Sequence, residues 1–476
     1  MTYTVEKIGG TSMTAFDAVL ENIFLKPAPE NRYNRVFVVS AYSGMTDALL
    51  ECKKTSKPGV YQLVAKRDDA WQDALDYVEQ RMLLTNGHIF ADPMNRLRAD
   101  KFICTRITEA KNCISNILET CQFGQFSLRH YLPQVREFLS SIGEAHSAFN
   151  TALKLKSLGI NAKFVDLCGW CSDKPKSLDD NIRDAFASID VSTELPIVTG
   201  YASCTDGLMS TYDRGYSEMT FSRIASITQA DLAIIHKEYH LSSADPRVVG
   251  EDKVFPIGHT NYDVADQLAN LGMEAIHPNA AAGLRESNIE LQIKNTFEPS
   301  HPGTLISSEH RPTDNKIEII AGKQQVFALH LFDQAMVGQV DNVSCELMEI
   351  IADAHVSLIG KEMNANSITY YLGGNKESLN KVLYKAEKRY PHSEIKGRMV
   401  ALISVIGSKI DTNKALAQGV LALMHQGVIP VALHSSMRNV NVQFVVDDNQ
   451  YGEAICALHD EFVSKQSPAL SRSKVA

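Results

Sequence analysis

The tightest constraint on the fold is Val36-Phe37-Val38-Val39-Ser40, where four consecutive residues are apolar. A strand with one wet face alternates polar and apolar residues. An unbroken run is buried on both faces, as in a parallel sheet covered by helices. Further strand-like segments stand at Ala162–Leu167, Pro196–Thr199 and Leu232–Ile235. Helical patterns fall between them at Trp71–Leu84, Phe102–Leu118 and Val135–Leu158, the last ended by Gly159. This alternation predicts an α/β domain with a mostly parallel sheet. The polar-rich helices 71–84 and 102–118 read as an excursion lying over that sheet.

A length of 476 residues exceeds one compact core, so two or three domains are expected. The net charge is −9 and no basic block occurs, which argues against nucleic acid as a partner. Nine cysteines, an odd number and mostly scattered, fit a reduced cytoplasmic chain better than a disulfide framework. No apolar run reaches membrane-spanning length, and Met1-Thr2-Tyr3 leads straight into the first strand, so neither membrane nor signal peptide is expected.

The stretch Lys7-Ile8-Gly9-Gly10-Thr11-Ser12 follows a short strand, Thr4-Val5-Glu6, and precedes a helical pattern over Ala15–Phe24. Thr14 and Asp17 have the spacing of an N-terminal capping box. Paired glycines let backbone approach a ligand closely, and free N–H groups at a helix start favour an anion. Lys7 stands where an ammonium could reach a phosphate. Spacing alone leaves open a plain βα turn with a surface lysine.

Between 297 and 316 the chain turns polar and turn-rich, with Pro299, Pro302-Gly303 and Pro312, a plausible boundary. Beyond it lies a weak repeat offset by about 72–74 residues, each copy reading strand, helix, strand, strand, helix. The residues from Ser467 are small and polar and read as a fraying tail.

Several chemistries are excluded or disfavoured. Neither G-x-x-x-x-G-K-[ST] nor G-x-G-x-x-G occurs. His236 and His240 have helical zinc spacing, but Ile234-Ile235 before them reads as strand, which disfavours a metal site. Cys168 and Cys171 form a C-x-x-C with no helix starting at them, which favours structural cysteines over a redox pair.

Blocks spread in order along the chain resemble the aspartate kinases of the amino-acid kinase superfamily. They are Lys7–Ser12, Val39-Ser40-Ala41 with Gly44-Met45-Thr46, Gly143-Glu144, Arg214-Gly215-Tyr216-Ser217-Glu218, Asp245-Pro246-Arg247-Val248, and Asn295-Thr296-Phe297 to Leu305. The C-terminal repeat is similar to the paired ACT units that follow such a kinase domain. Ile8 and Met13 look most like the branch associated with ectoine synthesis. The resemblance implies a catalytic domain over 1–310, ferredoxin-like βαββαβ ACT units over 311–392 and 393–466, and a flexible tail over 467–476. It implies transfer of the ATP γ-phosphoryl group to the side-chain carboxylate of L-aspartate, as the opening step of aspartate-family amino-acid or ectoine synthesis. Mg²⁺ would ride on the phosphates, without a dedicated protein metal site.

The same resemblance assigns roles. Lys7 and Glu218 are the catalytic pair. Lys7, Gly9, Gly10, Ser12 and Arg247 hold ATP. Ser40 and Thr46 meet the reacting carboxylate, Arg214 grips the α-carboxylate, and Glu144 and Glu218 offer charge to the α-ammonium. Dimers or higher assemblies through the ACT units, and lysine or threonine as effector, are also implied. The chain departs from the pattern in several places. Glu218 stands for the usual Asp, Tyr216 replaces a glycine, and Lys237–Ser242 is one residue short. Glu274 replaces a common Lys, and Asp341 replaces a second glycine in the first ACT loop, so effector binding is expected to be absent or altered.

Overall fold

The computed structural model describes residues 2–52, 57–170, 174, 176–212, 215–271 and 275–465. The expected tail lies outside the described residues. The chain divides into two compact units that do not follow chain order: residues 1–241 with 276–308, and 242–275 with 309–476.

In the first unit the strands of the main sheet are β1 (Thr4–Ile8), β2 (Arg35–Val39), β3 (Ala162–Val165), β4 (Leu195–Thr199), β5 (Leu232–Lys237), β6 (Glu290–Asn295) and β7 (Thr304–Ser307). Among the described residues of this unit they lie in the order β3-β4-β2-β1-β5-β6-β7. Every pairing is parallel until β7, which runs antiparallel to β6. Val36 to Val39 are fully buried, as the unbroken apolar run requires. Backbone bonds carry the ladder past the strand ends. Ser40 N–H reaches Ile8 O at 3.1 Å, Gly9 N–H reaches His236 O at 3.3 Å, and Gly200 N–H reaches Val39 O at 3.0 Å. The carboxyl ends of β1, β2, β4 and β5 therefore converge on one rim, where open parallel sheets bind ligands.

Three long helices form one side of this unit: α2 (Trp71–Ile89), α3 (Pro93–Thr120) and α4 (Leu128–Ser157). Helix α4 packs on β3 and β4, while α3 packs on α4 and α2, so the excursion is layered over α4. Helix α4 starts seven residues before the sequence pattern because Pro133 lies inside it. Proline there removes one early N–H bond, and the apolar face Val135, Leu139, Ile142 outweighs that loss.

The first helix also differs from expectation. Helix α1 (Gly10–Thr14) begins directly at the second glycine, with Gly9 as its extended N-cap, and the helical path resumes over Phe16–Val19 and Leu20–Leu25. The Thr14–Asp17 capping box does not form. Thr14 Oγ1 instead donates to Gly10 O at 3.0 Å and accepts from Ser43 N–H at 2.8 Å, tying the turn after β1 to the turn after β2. Two further helices complete the rim, α5 (Tyr216–Ile227) and α6 (Pro278–Glu286).

The second unit carries β8 (Ile319–Phe332), α7 (Val340–Asp353), β9 (Ser357–Met363), β10 (Ser367–Gly373), α8 (Lys376–Arg389), β11 (Glu394–Ile406), α9 (Thr412–His425), β12 (Ala432–Ser435), β13 (Asn441–Asp447) and α10 (Tyr451–His459). The repeat is plain in this order. Its sheet runs β9-β10-β8-β11-β13-β12, all antiparallel. The two copies share their central strands: each of β8 and β11 opens one ferredoxin-like unit and closes the other. That double duty explains their lengths, 14 and 13 residues. An irregularity between Lys323 and Val326 marks where β8 passes from one copy to the other. Phe327, Leu329 and Leu331 pack under α7 and α8 in one core, while Ala401, Ile403 and Val405 pack under α9 and α10 in another.

Candidate active site

Side chains alternate along β1, so Glu6 and Lys7 leave the sheet on opposite faces. Glu6 meets Arg35 at 2.6 and 3.0 Å and His236 at 2.7 Å. Burial alone would raise the Glu6 carboxyl, but Arg35 and His236 outweigh it and hold the group well below the usual range. His236 is thus spent on a buried contact with Glu6. His240 lies beside Glu298 at 3.2 Å, and among the described residues no three His, Cys, Asp or Glu side chains converge as a metal site. Cys168 is buried with its thiol on Ser141 O, and Cys171 lies outside the described residues.

On the other face Lys7 Nζ donates to Glu218 Oε1 at 3.0 Å, and the N–H of His277 donates to Glu218 Oε2 at 2.5 Å. Both side chains are about nine-tenths buried. Burial would raise the Glu218 carboxyl, but Lys7, Lys237 and the His277 N–H together lower it. Both carboxylate oxygens are committed, so Glu218 orients Lys7 at the end of β1.

Beside this pair lies a cavity of about 330 Å³. Gly10, Ser40, Thr46 and Glu144 line it, as do Tyr216 and Ser217 from the start of α5. Ser40 and Ser217 share a hydroxyl contact of 3.3 Å. The absence of a side chain at Gly10 has a local reason, because a Cβ there would stand 2.7 Å from Ala41 O. Glu144, on α4, is 1% exposed. Burial pushes its carboxyl up to about 8 despite the Tyr216 hydroxyl, Lys7 and the N–H groups of Tyr201 and Ala41. Its Oε2 has no hydrogen-bond partner.

Six of the residues singled out from sequence, Lys7, Gly10, Ser40, Thr46, Glu144 and Glu218, therefore gather at this rim. Gly9 caps α1. Ser12 is fully buried and turned away, sharing a 3.0 Å hydroxyl contact with Thr296. Arg214 lies outside the described residues, as does Glu274. Arg247 belongs to the second unit, where it sits in the short helix Pro246–Val249 and pairs with the N-cap Asp245 at 2.8 Å.

Three residues were missed. Glu137 stands two turns before Glu144 on α4, a spacing that puts both on one face. Its carboxylate accepts from Met209 N–H, Ser210 N–H, Ser210 Oγ and Tyr201 Oη at 3.0, 2.8, 3.1 and 2.8 Å, which clamps the helix Leu208–Tyr212. Arg136 lines the cavity and grips Glu51 through two nitrogens at 2.7 and 3.1 Å. The backbone N–H of His277 leaves no side-chain signal at all.

The amino acid kinase family model matches residues 2–295. Over 468 residues the chain is 47% identical to aspartate kinase Ask_Ect of Stutzerimonas stutzeri, covering 98% of both chains. It is 22% identical to the aspartokinase of Saccharomyces cerevisiae, covering 98% of this chain and 93% of that one. The fold is similar to that of Clostridium acetobutylicum aspartate kinase, with a TM-score of 0.71 at 21% identity over 96% of this chain and 100% of that one. It is also similar to E. coli aspartokinase III in complex with aspartate and ADP, with a TM-score of 0.68 at 18% identity over 96% and 99%. With the Lys7 rim, the cavity and the paired ACT-type units in place, the chain belongs to the amino acid kinase family, among its aspartate kinases.

Proposed function

We propose that the chain transfers the γ-phosphoryl group of ATP to the β-carboxylate of L-aspartate, giving 4-phospho-L-aspartate. The observation that carries this reading is a nearly buried Lys7–Glu218 pair beside a cavity that also holds Glu144 and the hydroxyls of Ser40 and Thr46.

The acceptor carboxylate is already ionised at neutral pH, so no general base is required. The work is to align two anions and to neutralise the charge that accumulates on the transferred group. Lys7 and the Gly9–Gly10 backbone take the phosphates, with Glu218 fixing the direction of the ammonium. Ser40 and Thr46 orient the reacting carboxylate by hydroxyl donation. Glu144 receives the α-ammonium and Arg214 the α-carboxylate, a two-pronged pair suited to guanidinium. Mg²⁺ is part of the nucleotide substrate, carried on its phosphate oxygens.

In regulation, the second unit is the effector-binding and dimerising part. The loops Met336–Asn342 and Gly407–Asp411 precede α7 and α9, and Asp341 in the first argues for a weakened response to lysine or threonine. Cytoplasmic residence fits the free cysteines, and no described helix is long and apolar enough to cross a membrane. The resemblance to a relative named Ask_Ect supports service to ectoine synthesis.

Steady-state kinetics of Glu144→Gln and Arg214→Ala test the site assignment. Each is expected to raise KM for aspartate about tenfold or more while leaving KM for ATP near wild type. An unchanged KM for aspartate in both would remove the cavity from the reading.

A further inference from the structure

We propose that Tyr216 is the positioning residue for the substrate α-ammonium, its phenol holding the Glu144 carboxylate ready to receive that charge. This inference rests on the aspartate kinase reading and goes beyond it, because Tyr216 stands where the resemblance leads one to expect glycine.

The position of the ring is fixed from three sides. Tyr216 opens α5 directly after Gly215, whose φ is +78°. A Cβ on Gly215 would stand 2.6 Å from the His277 ring, so only glycine allows this approach. The His277 N–H is in turn bound to Glu218, the partner of Lys7. The Tyr216 ring also meets Tyr201 edge to face at 6.1 Å, and the Tyr201 hydroxyl is anchored on Glu137. The phenol is turned toward the Glu144 carboxyl and the Thr46 hydroxyl. Tyr216 is 8% exposed and lines the cavity.

Glu144 has an unusual need for such a neighbour. It is fully enclosed, and its Oε2 makes no hydrogen bond. The groups that act on it are the Tyr216 hydroxyl from α5, the Lys7 ammonium from β1, and the N–H groups of Tyr201 and Ala41 from the turns after β4 and β2. Lys7 is already paired with Glu218, so its charge is shared. Asp47, Glu51 and Arg136 also line the cavity, Glu51 and Arg136 neutralising each other. Burial is the larger effect and pushes the Glu144 carboxyl up to about 8, which favours its protonated form at neutral pH in the enzyme without substrate. When the substrate ammonium enters, it supplies the missing donor to Oε2, and the carboxyl proton leaves to solvent. The sign follows directly: aspartate affinity rises with pH until Glu144 is ionised in the empty site, and then levels off.

Removing the phenol oxygen takes away a group that favours the ionised form. Tyr216→Phe is expected to raise KM for aspartate about tenfold, with kcat and KM for ATP near wild type. The break in the pH profile of kcat/KM for aspartate is expected to move upward by roughly one unit. In the Glu144→Gln background the break disappears, and adding Tyr216→Phe changes nothing further. A second measurement needs no variant. Calorimetric aspartate titrations of the wild-type enzyme in two buffers of different ionisation enthalpy count the protons released. About one is expected at pH 7, falling toward none near pH 9 as Glu144 ionises ahead of binding. No proton release at either pH, or a Tyr216→Phe enzyme with unchanged KM and pH profile, would overturn the proposal while leaving aspartate turnover intact. A wild-type enzyme that does not turn over aspartate would overturn the underlying reading instead.

Discussion

The Lys7–Glu218 pair can be tested by a double-mutant cycle of Lys7→Met, Glu218→Gln and the combination. The two side chains are 10% and 11% exposed and meet at 3.0 Å. Breaking a buried pair from one side strands the other charge, and such losses run at about 3–5 kcal/mol. In the double variant no charge is stranded, so the losses should fail to add, with a coupling on the order of 2 kcal/mol. Urea unfolding of the four proteins, followed through the transition of the first unit, gives the free energies. Activity should respond differently. Lys7→Met removes a preorganised donor to the transferred phosphoryl group, and kcat should fall roughly 10²–10³-fold. Glu218→Gln keeps an acceptor for the His277 N–H and should cost less. The pH dependence carries a sign as well. Glu218 is held below its ordinary pKa, so the pair's contribution is complete above about pH 4.3 and is lost as pH falls through the lowered folded value. Glu218→Gln should remove that part of the acid limb. Additive free energies together with an unaltered kcat for Lys7→Met would refute the assignment.

Other perturbations follow from the same geometry. Gly10→Ala would set a Cβ 2.7 Å from Ala41 O, and we expect a raised KM for ATP and a stability loss of about 1–3 kcal/mol, read by kinetics and urea unfolding. Glu137→Ala removes the acceptor of four hydrogen bonds, so hydrogen exchange at Leu208–Tyr212 should accelerate about tenfold or more and KM for aspartate should rise. His146 is buried and bound to Asn86 at 2.7 Å, and burial lowers its pKa to about 3. It stays neutral in the fold while the unfolded chain takes up protons below about pH 6.5, so stability should fall with acid by up to about 1.4 kcal/mol per unit until pH 3 is approached. His146→Asn should flatten that slope in urea unfolding at stepped pH. Lysine or threonine added to the assay should inhibit weakly or not at all, and full inhibition at low concentration would contradict the reading of Asp341.

Much of this could be read from the sequence, for identifiable reasons. Val36–Val39 announced a doubly covered parallel strand because burial on both faces leaves no polar position in the pattern. Lys7 to Ser12 was legible as a strand, glycine turn and helix start, but spacing alone left a plain βα turn open, and close packing of Gly10 on Ala41 O is a further reason for glycine there. What stayed hidden was long-range or backbone-borne. The Thr14–Asp17 spacing suggested a cap, but the helix had already started at Gly10, which freed Thr14 to reach the turn after β2. Ser12 sits in a ligand motif yet faces Thr296, because helical geometry rotates it away from Gly10. The repeat was legible as a repeat, but not the sharing of β8 and β11, since strand pairing leaves little trace in local pattern. Arg247 fell in the family's order along the chain, while compact packing assigns it to the second unit. Glu137 carried a weak signal, one helix face with Glu144, and the His277 N–H carried none.

The most direct test of the central claim is ATP-dependent hydroxamate formation by the wild-type enzyme with Mg²⁺, hydroxylamine and either L-aspartate or L-glutamate. An acyl phosphate is trapped by hydroxylamine as it forms, without a coupling enzyme. The account predicts a signal with aspartate and none with glutamate, falling roughly 10²–10³-fold in Lys7→Met. A signal with glutamate alone, or no signal from a folded enzyme that binds ATP, would contradict it.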